Sequence, residues 1–425
     1  MPSLDPFFTE WTRRSPGVTR SLDRAAALAR LLGLDTARAP VLGVVGSKGK
    51  GSTATTAAAA LSSAGLRTVL VTGPSFRSYR ERVRVDGTSV TDAELDALGA
   101  RIEAARRELP PPEEAGGYLA PSGLFLFAGL LRAREAGADV CVLEAGMGGH
   151  RDELRLVGPE VVALGKVFAE HVGVLGANVV EIAREKTGVA GERTRALVRL
   201  PQTAEVAAEV DAALAGATGG RVRAEVVDPA LPGTEPPPGL RPPGLSAASG
   251  VLGTAAAARM LEHLGRPPLD PERLHAVLRT VRLPGRLSRH TVPAGSAPGT
   301  GAAGTPVAEV LVDSAIERTG VAAALDHARA LWGGVDHVLL CLPDHKDVSG
   351  AVAALGGLPV TAVRLPEAHL RFEHALPARW GRMEAGDLSP DSLRALGGRI
   401  LALGTVYFTG RVLEAVDAPT DRLFG

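Results

Sequence analysis

The apolar run Val41–Val45 ends in Gly46-Ser47-Lys48-Gly49-Lys50-Gly51-Ser52, and the alanine-rich stretch 53–61 follows at once. Few folds accommodate such a junction. A short apolar run bounded by glycine suits a buried strand, and the alanine stretch suits a helix. Strand, glycine turn and helix start, in that order, gather backbone N–H groups at one point, and the helix dipole adds positive potential there. The result is an anion cradle. Lys50 is placed to reach terminal phosphates and the Ser52 hydroxyl to hold Mg²⁺. The extra glycine between lysine and serine departs from the common phosphate-loop spacing, and the pattern is not the G-x-G-x-x-G of dinucleotide sites. The bland alternative is a flexible glycine turn with a chance lysine.

Lysine usage argues against chance. Of 47 Lys plus Arg only five are lysine (Lys48, Lys50, Lys166, Lys186 and Lys346), leaving 42 arginines. Two of the five lie in the glycine loop. Arginine does not replace lysine where a compact charge or an amine that loses its proton is needed. The rest of the composition is restrictive in other ways. A length of 425 residues implies two or three domains. A formal net charge of zero and 4% aromatic residues disfavour nucleic acid and anionic membrane as partners. Cys141 and Cys341 lie inside apolar runs and read as buried strand residues, neither a disulfide framework nor a zinc site, which suggests a reducing cytoplasm. The first residues show no basic segment followed by an apolar one, and no apolar stretch approaches membrane-spanning length.

Short apolar runs alternate with amphipathic ones. Leu42–Val45, Arg67–Val71, Val140–Leu143, Val161–Leu164 and Ala196–Leu200 read as parallel strands. Helical spacing fills Asp23–Leu32, Ser52–Ala64, Asp92–Arg107, Ser122–Glu135 and Val179–Lys186 between them. This alternation predicts an α/β doubly wound sheet with its ligand site at the carboxyl ends of the strands. Asn178 and Glu181 form a capping box for the last of these helices, and Gly188 stops it. Pro229–Pro243 reads as a surface loop and Ala294–Pro306 as a mobile one. Alternation then resumes with Glu309–Val312, Val335–Cys341, Val360–Arg364 and Ile400–Leu403. A boundary near Gly285–Leu287 divides the chain into domains 1–287 and 288–425.

Three further segments carry chemistry. Val142-Leu143-Glu144-Ala145-Gly146 ends a strand in a carboxylate, where nucleotide enzymes hold Mg²⁺; a solvated glutamate is the alternative. His171 follows the strand Val161–Leu164, and Lys186 closes the helix begun by Val179. Alone, either is more simply structural. Together with the loop they resemble the folylpolyglutamate synthase/dihydrofolate synthase family, relatives of the Mur ligases. Its G-T-x-G-K-G-S loop matches Gly46–Ser52, with Ser47 for threonine. Its L-E-V-G-x-G-G-x-x-D matches Leu143–Asp152, and its D-H-x-x-x-L-G matches Glu170–Gly176. Its E-I-A-x-E-K-x-G matches Glu181–Gly188, and Pro284-Gly285-Arg286, Lys346-Asp347 and Gly404–Gly410 match later motifs.

The resemblance implies a Mur ligase central-domain-like sheet followed by a smaller Rossmann-like α/β domain that closes over the site. It implies an ATP-dependent ligase joining a carboxylic acid to an amino acid through an acyl phosphate, acting as a cytoplasmic monomer with Mg²⁺. Gly46, Ser47, Lys48, Gly49, Lys50, Gly51 and Ser52 would bind phosphate, and Arg286 and Asp313 would lie around the nucleotide. Ser52 with Glu144 would hold one Mg²⁺, and His171 with Glu144 a second, where Lys186 matches a lysine carbamylated in the family. The chain also departs from the family. Thr72-Gly73-Pro74-Ser75-Phe76 stands where the family has T-S-P-H-L, losing its serine and histidine, Ser249, Gly250 and Gly253 replace H-Q-x-x-N, and Ile316-Glu317 replace H-N. Near Ser122 an F-E pair is missing, Arg155 replaces asparagine, and Glu170 replaces aspartate. From these changes we expect a ligase repurposed for a non-folate acid. The alternatives are an ordinary folate ligase and a non-catalytic nucleotide-binding homologue. His345, beside Lys346, is a further candidate for substrate contact.

Overall fold

The computed structural model describes residues 5–35, 38–293 and 308–425. The first four residues and the expected loop 294–306 lie outside the described residues. The strands of the first sheet are β1 (Val41–Val45), β2 (Thr68–Val71), β3 (Val83–Val85), β4 (Thr88–Ser89), β5 (Val140–Glu144), β6 (Val161–Leu164), β7 (Ala196–Arg199) and β8 (Ala224–Val226). Their order is β4-β3-β2-β5-β1-β6-β7-β8, parallel except for the antiparallel β3 and β4 at one edge. The second sheet holds β9 (Ser288–Thr291), β10 (Glu309–Asp313), β11 (His337–Cys341), β12 (Val360–Arg364), β13 (Gly381–Glu384) and β14 (Arg399–Gly404). It runs β13-β12-β11-β14-β10-β9, with only β9 antiparallel. Each sheet is covered on both faces, so four apolar cores form, two per sheet. Burial on both faces is why the inner strands read as continuous apolar runs.

Every strand that lacks such a run lies at or next to a sheet edge. β9 (Ser288-Arg289-His290-Thr291) and β13 (Gly381-Arg382-Met383-Glu384) are polar because one side faces water. The helix Asp5–Arg13 also escapes sequence reading, as does Ala247–His263. The latter explains the alanine stretch of the loop helix. Lys50–Ser63 is buried on nearly every side, between the sheet and Ala247–His263, and a helix apolar all round is a core helix. Close approach needs small residues. A Cβ at Gly253 would come within 2.5 Å of the Thr53 carbonyl oxygen, and one at Gly250 would meet Pro242 at 2.5 Å.

β1 is central, and its carboxyl end delivers the glycine loop between the ends of β5 and β6. Polypeptide from both lobes seals the first sheet. Asp421 O accepts from Ser89 N at 2.7 Å, and Arg84 donates to Asp421 O at 2.6 Å and Thr420 O at 2.7 Å. Leu423 and Phe424 enter the core under the loop helix. Cys141 and Cys341 are buried free thiols on β5 and β11. No helix among the described residues is long and apolar enough to cross a membrane. Gly253→Val tests the helix packing. The gain in helix propensity is under about 1 kcal/mol, whereas forced displacement costs about 1–3 kcal/mol. The thermal midpoint is expected to fall by several degrees; an unchanged or raised midpoint would contradict the close approach.

Candidate active site

The glycine loop is held open by its neighbours. Ser47 N donates to Lys166 O at 2.9 Å, and Phe168 N donates to Ser47 Oγ at 3.2 Å, tying the loop to the segment after β6. Gly49, with φ 80°, is the N-cap of Lys50–Ser63 and provides no side-chain cap. The first N–H groups of that helix are therefore left for an anion. Ser249, at the start of Ala247–His263, packs its hydroxyl against Gly49. Gly46 and Gly51 complete the cradle, and a Cβ on Gly51 would sit 3.4 Å from Glu144 Oε2.

Glu144, the last residue of β5, accepts from Gly73 N at 2.9 Å. Burial pushes its carboxyl above the usual carboxylate range, against the pull of Lys50, the Gly73 N–H, Arg286 and Arg82. It shares a cavity of about 60 Å³ with Ser52 and Arg286. The Ser52 hydroxyl is buried and has no hydrogen-bond partner. A buried orphan hydroxyl beside a buried carboxylate fits a hard divalent cation. Among the described residues no three His, Cys, Asp or Glu side chains form a metal cluster.

Four of the five lysines meet here. Lys50 Nζ donates to Gly46 O at 3.3 Å, and Lys186 Nζ donates to the same oxygen at 3.0 Å. Lys186 has no solvent exposure and also reaches Met147 O at 3.1 Å and Glu170 Oε1 at 2.8 Å. Burial, reinforced by Lys50, lowers its pKa, while Glu170 holds it up. Lys186 thus donates to three oxygen acceptors from three separate segments. Lys346, from the loop after β11, lies close enough to Lys48 that the repulsion adds to burial in lowering its pKa. His171, with φ 47°, lies at the exposed rim of the site, where partial desolvation and the nearby Lys186, Lys346 and Lys50 lower its pKa against the pull of Glu170. Lys166 is exposed and contributes its carbonyl alone. His345 is also exposed, next to Lys346, and lines neither cleft cavity.

The second lobe meets the first at Pro284-Gly285-Arg286. Ser314 Oγ donates to Gly285 O at 3.2 Å and Leu287 N donates to Asp313 Oδ2 at 2.9 Å. Burial raises the Asp313 carboxyl against the nearby Arg286. Lys48 crosses to the second lobe and pairs with Glu317. Two organisers of this site, Phe76 and Glu81, have no role assigned from the sequence. Phe76 packs against Gly285 and Gly410, with the Arg286 guanidinium 5.7 Å from its ring centroid. Glu81 is buried and accepts from Phe76 N at 2.9 Å, Arg77 N at 3.1 Å, Ser78 N at 3.0 Å and Thr420 Oγ1 at 2.8 Å. Its place in Tyr79-Arg80-Glu81-Arg82, which keeps the Y-x-E-R character of the family resembled, is the sequence signal for it.

Comparison with known proteins gives two kinds of likeness. No family model matches the chain. A probable bifunctional folylpolyglutamate synthase/dihydropteroate synthase of Haloferax volcanii is 34% identical over 258 residues, covering 57% of this chain and 30% of that protein. The dihydrofolate synthase/folylpolyglutamate synthase of Escherichia coli is 31% identical over 196 residues, covering 46% and 44%. The chain thus spans less than half the length of these curated relatives. In fold it is similar to Mycobacterium tuberculosis folylpolyglutamate synthase complexed with ADP and AMPPCP, with a TM-score of 0.74 at 23% identity over 94% of this chain and 96% of that one.

Glu144→Gln separates the metal role from a structural one. A carboxyl whose folded pKa is raised destabilises the folded state as pH rises through that pKa. At pH 8 the ligand-free variant is therefore expected to melt at or above the wild-type midpoint. The further rise that Mg²⁺ with AMPPCP gives the wild type should be lost. A destabilised variant that keeps the full Mg²⁺-dependent rise would contradict the assignment.

Proposed function

We propose that this chain is a divergent member of the folylpolyglutamate synthase/dihydrofolate synthase family and an ATP-dependent ligase that joins a folate-type carboxylic acid to glutamate. One observation carries the reading: a glycine loop with uncapped helix N–H groups, ringed by Lys48, Lys50, Lys186 and Lys346, opens beside Ser52 and Glu144. Such a concentration of positive charge suits a polyphosphate and the charge that develops when its terminal phosphoryl group moves. The acid carboxylate would attack the γ-phosphorus, forming an acyl phosphate and ADP. The incoming amine would then attack the acyl carbon, lose a proton and expel phosphate. Lys50 and the loop N–H groups would hold the phosphates, and Arg286 would orient them from the hinge. When bound between Ser52 and Glu144, Mg²⁺ would offset phosphate charge.

The changes that suggested a non-folate acid have local packing reasons. Gly250 and Gly253 let Ala247–His263 close on Pro242 and on the loop helix. Phe76 fills the hinge, Ile316 packs against the second lobe's core, and Glu317 pairs with Lys48. None of them requires a different acid, and the names of the relatives favour a folate-type one. The same intact phosphate set speaks against a non-catalytic homologue.

ADP release with dihydropteroate or a reduced folate plus glutamate tests this. Turnover is expected, and Lys50→Ala should lower kcat by about 10²–10³-fold. Turnover with a different acid–amino acid pair, and none with folates, would return the acid assignment to the repurposed reading.

A further inference from the structure

Against the glycine turn that follows Glu144 lie two buried carboxylates from adjacent residues, Asp152 and Glu153, at the start of the short helix Glu153–Val157. They are 0% and 1% exposed and share one guanidinium. Arg20 Nη1 stands 3.5 Å from Asp152 Oδ2 and 3.2 Å from Glu153 Oε2. One positive charge offsets two buried negative ones incompletely, so the pair is best satisfied when it holds a proton.

Hydrogen bonding decides where that proton sits. Asp152 Oδ2 accepts from Gly146 N, and Asp152 Oδ1 from Leu154 N, each at 3.1 Å. Glu153 Oε1 is buried with no hydrogen-bond partner. The proton therefore belongs on Glu153. Burial and the adjacent Asp152 raise the Glu153 carboxyl to about 7, against the pull of Arg20. Other charges nearby are already engaged. Arg24, on the helix Leu22–Leu31, is taken up by Glu10 at 2.6 Å and Gly117 O at 3.0 Å. Arg155, on the helix of Glu153 itself, turns to His150 on the exposed side. The start of the helix Pro121–Ala136 brings Ser122, against Gly146, and Gly123, where a Cβ would overlap the Glu153 side chain.

Arg20 also supports the turn itself. A Cβ on Gly148 would meet Glu185 Oε1 at 2.6 Å and Arg20 Nη2 at 3.6 Å. Glu185 is held in turn by Arg151 at 3.2 Å and by the N–H groups of Gly149 and Arg151. Between Gly146 and Gly148 stands Met147, whose carbonyl oxygen accepts from Lys186 Nζ at 3.1 Å. A single turn thus links Arg20 to the phosphate site.

We propose that Glu153 is a positioning residue: as a neutral acid it leaves Arg20 to Asp152 and the turn 146–149, whereas its ionised form draws Arg20 away and loosens the turn that sets Lys186. The inference rests on the phosphate-site reading above. Nucleotide affinity should fall as Glu153 loses its proton.

Glu153→Gln keeps the shape of the neutral acid and removes the titration. Calorimetric titration with AMPPCP and Mg²⁺ gives the ratio of wild-type to variant dissociation constants, in which titration of the nucleotide cancels. That ratio should be near one at about pH 6 and rise to about fivefold at about pH 8.5. A raised carboxyl costs the folded state stability as pH climbs from the unfolded pKa to the folded one. The ligand-free variant should therefore gain thermal midpoint over wild type between about pH 5 and about pH 8. Should Glu153→Gln not fold, Glu153→Met, which likewise cannot draw Arg20, is expected to show the same rise in the ratio. A ratio independent of pH, or a variant weaker at every pH, would overturn the proposal even where the midpoint shifts. Wild-type binding of AMPPCP in that outcome would leave the ligase reading standing; absence of AMPPCP binding altogether would overturn both.

Discussion

Four ammonium groups crowd one glycine loop, and the rest of the site is arranged around their repulsion. Lys50 and Lys186 share a single carbonyl oxygen, Gly46 O. Lys48 and Lys346 approach from opposite lobes. Glu170 offsets Lys186 and Glu317 offsets Lys48, but the loop still has more positive charge than its own carboxylates balance. A like-charge cluster of this kind is costly in an empty protein and is relieved by a polyanion. Burial of Lys186 and Glu144 makes the same point from the other side. Burial disfavours the charged form of both groups, and a nucleotide with its cation would bring counter-charge to the same spot.

The junction at Pro284-Gly285-Arg286 converts that local demand into a two-lobed site. Phe76, Gly285 and Thr409 pack together, so that the loop after β2, the linker and the helix Val406–Ala415 meet at one point. Glu81 then fixes the Phe76 loop through three backbone N–H groups and reaches the terminal segment through Thr420. Segments far apart in sequence are thereby held to one another beside Arg286. The cleft with Ser52 and Glu144 opens onto this point.

Sequence showed the inner strands well, because burial on both faces of a parallel sheet leaves only apolar residues to choose from. Val161–Leu164 and Val360–Arg364 coincide with β6 and β12 to the residue. Polar edge strands such as β9 and β13 leave no such trace, since half of each faces water. In the site, the glycine loop, Glu144 and the scarce lysines were legible because phosphate and cation chemistry restricts residue type. Phe76, Glu81, Gly250 and Gly253 could be seen in the sequence, but not what they do. Their roles are contacts between distant segments, and the spacing of residues along a chain carries no record of those. Lys186 lies between the two cases: its position was evident, but its three acceptors were not.

The central claim is that a nucleotide's phosphates and a divalent cation occupy the end of β1, between Ser52 and Glu144. A crystal structure with Mn²⁺ and AMPPCP, phased to reveal the manganese anomalous signal, tests it most directly. The account predicts a peak bridging Ser52 Oγ, a Glu144 oxygen and the terminal phosphates, with the Lys50 amine on those phosphates. A nucleotide bound elsewhere, or a cation with neither Ser52 nor Glu144 in its shell, would contradict it.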